Sequence, residues 1–571
     1  MTSGKPGGVW CAQRVPDGQV GCGANRSRIG KVDPKNTNMF MMSANVYSLA
    51  EELGFWKRGD PFVRYDVYGD PGSRAGHFSI TRGWMVKESI ASIGAKSGQG
   101  IQMMRRARRI SRRRFIAEST VVAAASVVPR HILGGVGHVP PSNQLNVAVI
   151  GTGGQGIVNI KKLLQHKDVK ISAICDVAQF WDNSDLYYRH NGGRGPAMKA
   201  IEEHYRQNEP EGHYGCKVYA DFRVMMEKAN EDIDAVVVAT PNHVHAVASM
   251  TAIRAGKGVY CEKPLTYSVY EARRIAEAAR EAKVATQLGN QGHSSDDIRR
   301  AVEWVRDGAI GKIRQVYAWA GENRIPQFTE RPKETPPVPE GLNWDLWLGP
   351  APERPYHPAY APLLWHYWWD FGGGKLGNFG CHTLDTAVWA LDLKHPTMIE
   401  ASSTQLRKET TPIASTCHYK FPSTGEQPPV DVFWYDGGIR PPRPDCLEPE
   451  RNLPHNGGSL LIGDEGAILS GVWSGSPRII PETKMRRYEL SGPKIPRSKG
   501  HRRDWIDACK GGPPASSNFE YGARLTEIVL LGVVALRTGV TLQWDGPNMK
   551  ATKAPQVDPI IHGHFRKGWE I

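Results

Sequence analysis

A strand that runs directly into a glycine loop constrains this chain more than any other feature. Residues 146–150 read Asn-Val-Ala-Val-Ile and are followed at once by Gly151-Thr-Gly-Gly-Gln-Gly156. The apolar run predicts a strand buried on both faces, and glycines at 151, 153 and 156 predict a tight turn into a helix. Gly151 permits the turn, Gly153 lets backbone approach a pyrophosphate, and Gly156 lets the helix pack closely with its N-terminal amides toward the phosphates. Gly154 and Gln155 complete the loop. The segment Val169–Cys175 reads as a second strand and ends in Asp176, 25 residues after Gly151. A carboxylate there would accept hydrogen bonds from an adenosine ribose and repel a 2′-phosphate, which favours NAD over NADP. An accidental glycine-rich turn is the alternative.

Further apolar segments at 235–239 and 258–261 end in Thr240-Pro241-Asn242-His243 and Glu262-Lys263-Pro264, with helix-compatible stretches between them. This alternation predicts an α/β fold whose N-terminal unit is a Rossmann doubly wound parallel sheet, with ligands at the carboxyl ends of its strands. Those ends place Asp176, Thr240, Asn242, His243, Glu262 and Lys263 toward a cofactor. Glu262-Lys263-Pro264 behind a Gly-x-Gly-x-x-Gly unit resembles the Gfo/Idh/MocA oxidoreductases, over about residues 145–545. The resemblance implies a dinucleotide-binding domain at 145–288. It also implies an α+β domain at 289–545 with an open, mostly antiparallel sheet for substrate and oligomerisation, and hence a homo-oligomer. Lys263 would touch both nicotinamide and substrate, and Glu262 would help hold the nicotinamide ribose. An ammonium beside a cationic nicotinamide loses its proton more easily, so Lys263 could exchange protons near neutral pH. A lysine facing solvent is the plainer reading.

Aromatic residues crowd the second half at Trp344 and Trp347 and again at Trp365, Tyr367, Trp368 and Trp369. Flat rings stack on the C–H faces of sugars, which makes Trp369 a substrate candidate, although large aromatics are also ordinary core. The segment from Gly372 to Asp385 resembles the family stretch that opens a helix and carries a catalytic histidine, here His382. Asp385, three residues on, would share its helix face and could orient the imidazole. Where many relatives have aspartate, this chain has Asn378, and an amide cannot take up a proton. The acid/base work then falls to Lys263 and His382, with Lys263, Trp369, Asn378 and His382 facing substrate. Beyond residue 545 the periodicity fades, which predicts an extended tail at 546–571.

The net charge of +14 points at first to nucleic acid, but residues 1–135 hold 21 Lys+Arg against 9 Asp+Glu, leaving 51 against 49 for the rest. A body at +2 offers no general basic surface, and no nucleic-acid motif is present. Nine cysteines without a Cys-x-x-Cys pair indicate neither a zinc site nor a disulfide scaffold. Cys175, Cys261 and Cys381 read as packing thiols. Residues 105–116, Arg-Arg-Ala-Arg-Arg-Ile-Ser-Arg-Arg-Arg-Phe-Ile, precede the apolar run 121–128 and resemble a twin-arginine export signal. That run is too short for a permanent transmembrane anchor; a basic helix start is the alternative. The signal region is taken as 103–135, with translation starting at Met103 or Met104, and residues 1–102 as a non-native or disordered extension.

These readings converge on an exported, periplasmic enzyme that transfers hydride between nicotinamide and a sugar or polyol carbon. Its NAD would be tightly bound, no metal is expected, and the twin-arginine translocase would be its export partner. A redox-neutral NAD-dependent glycosidase and a noncatalytic sugar-binding protein that keeps the fold are the alternatives.

Overall fold

The structure, a computed structural model, describes residues 143–184, 188–208, 215–322, 329–489 and 492–571. The arginine-rich segment, the apolar run at 121–128 and the alternative starts at Met103 and Met104 lie outside the described residues.

The first sheet contains β1 (Leu145–Ile150), β2 (Val169–Cys175), β3 (Lys217–Tyr219), β4 (Ala235–Val238), β5 (Gly258–Cys261) and β6 (Thr286–Leu288). They lie in the order β3-β2-β1-β4-β5-β6, with every neighbouring pair parallel. Helices α1 (Gly154–Leu163), α2 (Arg194–Asn208), α3 (Phe222–Ala229), α4 (Asn242–Arg254) and α5 (Val269–Ala282) connect the strands. Val147 and Val149 enter the core under α1 and α2, while Ala148 and Ile150 enter the core under α3, α4 and α5. Helices on both faces explain why β1 is apolar without alternation. The chain runs outward from β1 through β2 to β3 and then crosses back to β4 on the other side of β1, so the strand order reverses there and a crevice opens at the carboxyl ends between β1 and β4. Cys175, Cys261 and Cys381 are buried thiols in this packing.

Helix α6 (Asp296–Arg306) leads into a nine-stranded sheet. Its strands are β7 (Ile313–Ala320), β8 (Met398–Ser403), β9 (Ser415–Phe421), β10 (Val430–Tyr435), β11 (Gly457–Gly463), β12 (Gly466–Gly471), β13 (Arg478–Ile480), β14 (Leu542–Asp545) and β15 (Lys550–Ala551). The order is β13-β12-β11-β7-β10-β9-β8-β14-β15, and only β7 and β10 pair in parallel. Helices α7 (Gly374–Thr383), α8 (Asp385–Ala390) and α9 (Phe519–Thr538) are among those that accompany this sheet. Of the 20 residues of α9, 16 are buried, as an all-round apolar helix requires. It packs on β8, β9 and α7 and also on α5, so it fixes the nine-stranded sheet against the parallel one.

The closing segment differs from the expected extended tail. β15 pairs with β14, a helical turn forms at Asp558–His562, and Ile561 and Trp569 are buried. Its apolar anchors are too widely spaced to leave a periodic signature in the sequence.

Candidate active site

The carboxyl ends of β1, β2, β4 and β5 open into a cleft of about 890 Å3, whose opposite wall comes from residues between 346 and 382. Gly151 has φ +84°, and a Cβ there would lie 2.6 Å from the carbonyl oxygen of Ala239. At Gly156 a Cβ would lie 1.9 Å from the Gly151 oxygen, so only glycine lets α1 start this close to the loop. A Cβ on Gly153 would meet nothing within 4 Å, which leaves its backbone open. Gly153 is the N-cap of α1, which has no side-chain cap among the described residues and no acidic residue in its first turn. Uncapped amides at a helix N-terminus suit an anion, and Gly153, Gly154 and Gln155 line the cleft. The loop therefore fits the pyrophosphate of a dinucleotide.

Asp176 lines the same cleft, but its carboxylate is already engaged. Oδ2 accepts from Thr152 N at 2.7 Å and Thr152 Oγ1 at 3.4 Å, and Oδ1 accepts from Ala178 N at 2.9 Å and Trp181 Nε1 at 3.3 Å. Two carboxylate oxygens offer about four acceptor positions, so a ribose must displace one of these donors. Asp176 is in the first place the clamp between the glycine loop and the loop after β2. Burial pushes its pKa up.

At the other end of the cleft, Glu262 Oε1 accepts from Asn159 Nδ2 at 3.0 Å and Gln291 Nε2 at 3.1 Å. Lys263 reaches across to α7. Its Nζ donates to Asn378 Oδ1 at 2.6 Å and to the Asn378 backbone oxygen at 3.0 Å. Burial lowers the Lys263 pKa. His382, one turn further along α7, lines the same cleft and is 5% exposed. Among the described residues its Nδ1 has no hydrogen-bond partner, and the imidazole pKa is held well below the usual histidine range by burial and then by the Lys263 charge. A lysine with a lowered pKa beside a neutral imidazole can pass a proton to or from a bound hydroxyl.

Three expected site residues lie elsewhere. Asp385 does not orient His382. Helix α7 ends at Thr383, and the carboxylate accepts from His293 Nδ1 at 2.9 Å, Tyr521 OH at 2.5 Å and Asn290 Nδ2 at 2.9 Å. With those three donors filling its oxygens, it knits α8 to α9 behind the cleft. Trp369 is 2% exposed, donates its Nε1 to Arg407 O at 2.9 Å and is absent from the cleft lining. Its large apolar ring is core. His243 is likewise off the cleft, held by Trp347 O at 2.9 Å and packed on Phe371.

His245, which the sequence reading passed over, takes the cleft position instead. On α4, Asn242 and His245 are three apart and share a face, whereas Asn242 and His243 do not; that spacing was the available signal. The two ring nitrogens of His245 face Thr240 O at 2.8 Å and Pro264 O at 2.7 Å, tying both strand ends together, and burial holds its pKa down at about 4. Thr240 and Asn242 line the cleft as expected. Trp181, Trp365, His366, Trp473 and Trp569 also line it. They come from four segments far apart in sequence, around 181, 365–366, 473 and 569, and of these only Trp365 belongs to the aromatic run visible in the sequence.

Comparison with known proteins adds a family. A family model described as "Oxidoreductase family, NAD-binding Rossmann fold" matches residues 190–290, and one described as "Oxidoreductase family, C-terminal alpha/beta domain" matches residues 312–425. A third, "Peptidase family C69", matches residues 2–111, which lie outside the described residues. A glycosyl hydrolase family 109 protein of Stenotrophomonas maltophilia is 27% identical over 209 residues, covering 37% of this chain and 42% of that protein. A 1,5-anhydro-D-fructose reductase of Ensifer adhaerens is 40% identical over 81 residues, 14% of this chain and 24% of that protein. The chain thus spans less than half the length of these relatives. The crystal structure of the WlbA dehydrogenase of Bordetella pertussis, in complex with NADH and UDP-GlcNAcA, aligns at 16% identity and a TM-score of 0.48 over 70% of this chain and 99% of that one. The glycine cradle, the Lys263 strand end and the two matched domain models agree: residues 190–290 and 312–425 match the two domain models of the Gfo/Idh/MocA oxidoreductase family, the first of them its NAD-binding Rossmann domain.

Proposed function

We propose that this chain is an NAD-dependent oxidoreductase acting at a hydroxyl-bearing carbon of a sugar or polyol. The observation that carries this is the junction of Lys263, Asn378 and His382 on one cleft with the Gly151–Gly156 cradle. Gly153 and the amides opening α1 would hold the pyrophosphate, and Glu262, Asn242 and Thr240 line the nicotinamide end. Bound NAD supplies a hydride acceptor or donor at its nicotinamide. Lys263, with its pKa lowered by burial, takes the substrate hydroxyl proton as the carbon gives up hydride, and returns it in the reverse direction. Asn378 Oδ1 fixes the amine on the cleft wall, and His382, which lines the same cleft, presents its imidazole ring to a substrate oxygen. The Asp176 carboxylate at the ribose end disfavours a 2′-phosphate, so NAD is the preferred nucleotide over NADP.

A second reading is supported by the glycosyl hydrolase family 109 relative: a redox-neutral cycle that oxidises a sugar carbon transiently, eliminates the glycosidic bond, adds water and reduces again. The test is one incubation series with free sugars, polyols and glycosides, scored for nicotinamide reduction and for glycoside cleavage. Net reduction supports the dehydrogenase, cleavage without net reduction supports the glycosidase, and unchanged turnover in Lys263→Ala refutes both.

Export through the twin-arginine translocase to the periplasm is part of the proposal and rests on Ser111, Arg112, Arg113, Phe115 and Ile116. A homo-oligomer is also part of the proposal and rests on the resemblance to the Gfo/Idh/MocA family.

A further inference from the structure

The order of the parallel sheet gives the cleft a direction. Asn242 and Lys263 stand at the ends of β4 and β5, the glycine loop at β1, and Asp176 at β2, so the end beyond Asp176, over β3, is where a dinucleotide would place its adenosine. Ala220, Asp221 and Phe222 line the cleft there from the end of β3. Facing them are Leu346 and Trp347, from a strap that is itself bonded to the nucleotide domain: Gln179 N donates to Gly341 O at 2.9 Å and Asn343 N donates to Val177 O at 2.9 Å.

The remaining wall comes from the far end of the chain. Trp569 lines the cleft yet is only 6% exposed, because the Arg223 guanidinium lies 4.1 Å from the centre of its ring and Phe222 meets it edge-on at 6.1 Å. Arg566 ties this segment to the strap. Its backbone N donates to Pro350 O at 3.0 Å, its Nε to Gly349 O at 2.9 Å, and its Nη1 to Asp345 Oδ1 at 2.6 Å. An aromatic wall that must move before a bound nucleotide can leave slows dissociation more than it slows chemistry.

We infer that Trp569, latched through Arg566 to the 341–350 strap, is a nucleotide-retaining residue that keeps the adenosine end of the dinucleotide closed in the folded chain between turnovers. The inference rests on the proposed dinucleotide function. Retention of this kind is what a protein without access to a free NAD pool requires, and it makes an internally balanced redox cycle possible.

The experiment is to purify the full-length chain without added nucleotide, release and quantify what it carries, and follow exchange of bound nucleotide for labelled NAD. Trp569→Ala and Arg566→Gln are compared with Trp569→Phe, and circular dichroism checks that each variant is folded. The expected result is nucleotide retained by the parent and by Trp569→Phe. In Trp569→Ala and Arg566→Gln, release should be faster by about tenfold or more, as loss of a base-facing aromatic does in other nucleotide sites. Retention unchanged in both variants overturns the inference and leaves the proposed function standing. A parent that binds added NAD but exchanges it within mixing time also overturns it. A parent that carries no nucleotide and shows no calorimetric binding of NAD removes the inference and the proposed function together.

Discussion

Asn378→Asp changes one atom type at the contact that positions the proposed base. Lys263 Nζ lies 2.6 Å from Asn378 Oδ1, so the variant puts a carboxylate in direct contact with the amine. Burial holds the Lys263 pKa below its ordinary value in the parent. An opposite charge at this range shifts a neighbour by about 1–3 pH units toward its charged form, here upward for the amine. If neutral Lys263 is the base, kcat/KM rises with pH through its pKa, and the variant moves that limb up by about 1–3 pH units. Below the limb, each pH unit removes about tenfold of the neutral amine, so activity at fixed pH falls by about 10- to 1000-fold. The assay is the pH profile of kcat/KM for hydride transfer, with nucleotide affinity measured alongside to show the cleft is intact. A limb that stays in place or moves down, with nucleotide binding unchanged, refutes Lys263 as the titrating base.

Two further outcomes concern stability. Ser268 caps α5 in a reciprocal box with Glu271, accepting from Glu271 N at 3.2 Å, so Ser268→Ala should cost about 1 kcal/mol in denaturant unfolding with little change in hydride transfer; an unchanged midpoint contradicts the cap. Asp168 is paired with Arg503 at 2.8 Å and Lys510 at 2.7 Å, and these hold its carboxyl pKa far below the usual range despite a partial burial that opposes them. A depressed folded pKa contributes stability above the unfolded value, near 3.8, and loses it as pH falls through the folded one. Asp168→Asn should therefore be less stable than the parent at neutral pH and converge with it in acid; a difference that persists unchanged in acid contradicts the pairing.

Of the site residues expected from the sequence, Gly151, Gly153, Gly154, Gln155, Asp176, Thr240, Asn242, Glu262 and Lys263 line the cleft from strand ends or the glycine loop, where a local pattern fixes both the element and the direction of its end. Asn378 and His382 line it from α7, and their place came from the family resemblance rather than from a local pattern. His243 and His245 show the limit, because two histidines two residues apart on one helix point to different sides, and only the helix face shared with Asn242 separates them. Asp385 was misplaced by assuming a continuous helix past Thr383, and its carboxylate is drawn away by His293, Tyr521 and Asn290 from other elements. Trp369 was chosen from a crowded aromatic run in which only tertiary packing decides which ring is core. Trp473 and Trp569 were invisible because their neighbours in space, His382 and Phe222, are about 90 and 350 residues away in the chain.

The central claim is that Lys263 moves the proton that accompanies hydride transfer on this cleft. It is tested most directly by a single-turnover experiment: the nucleotide-loaded chain is mixed with a sugar identified as substrate, and the absorbance of reduced nicotinamide is followed in the parent and in Lys263→Ala. The account predicts a burst of reduction in the parent and loss of that burst by about a hundredfold or more in the variant, with nucleotide still bound. An equal burst in both would contradict it.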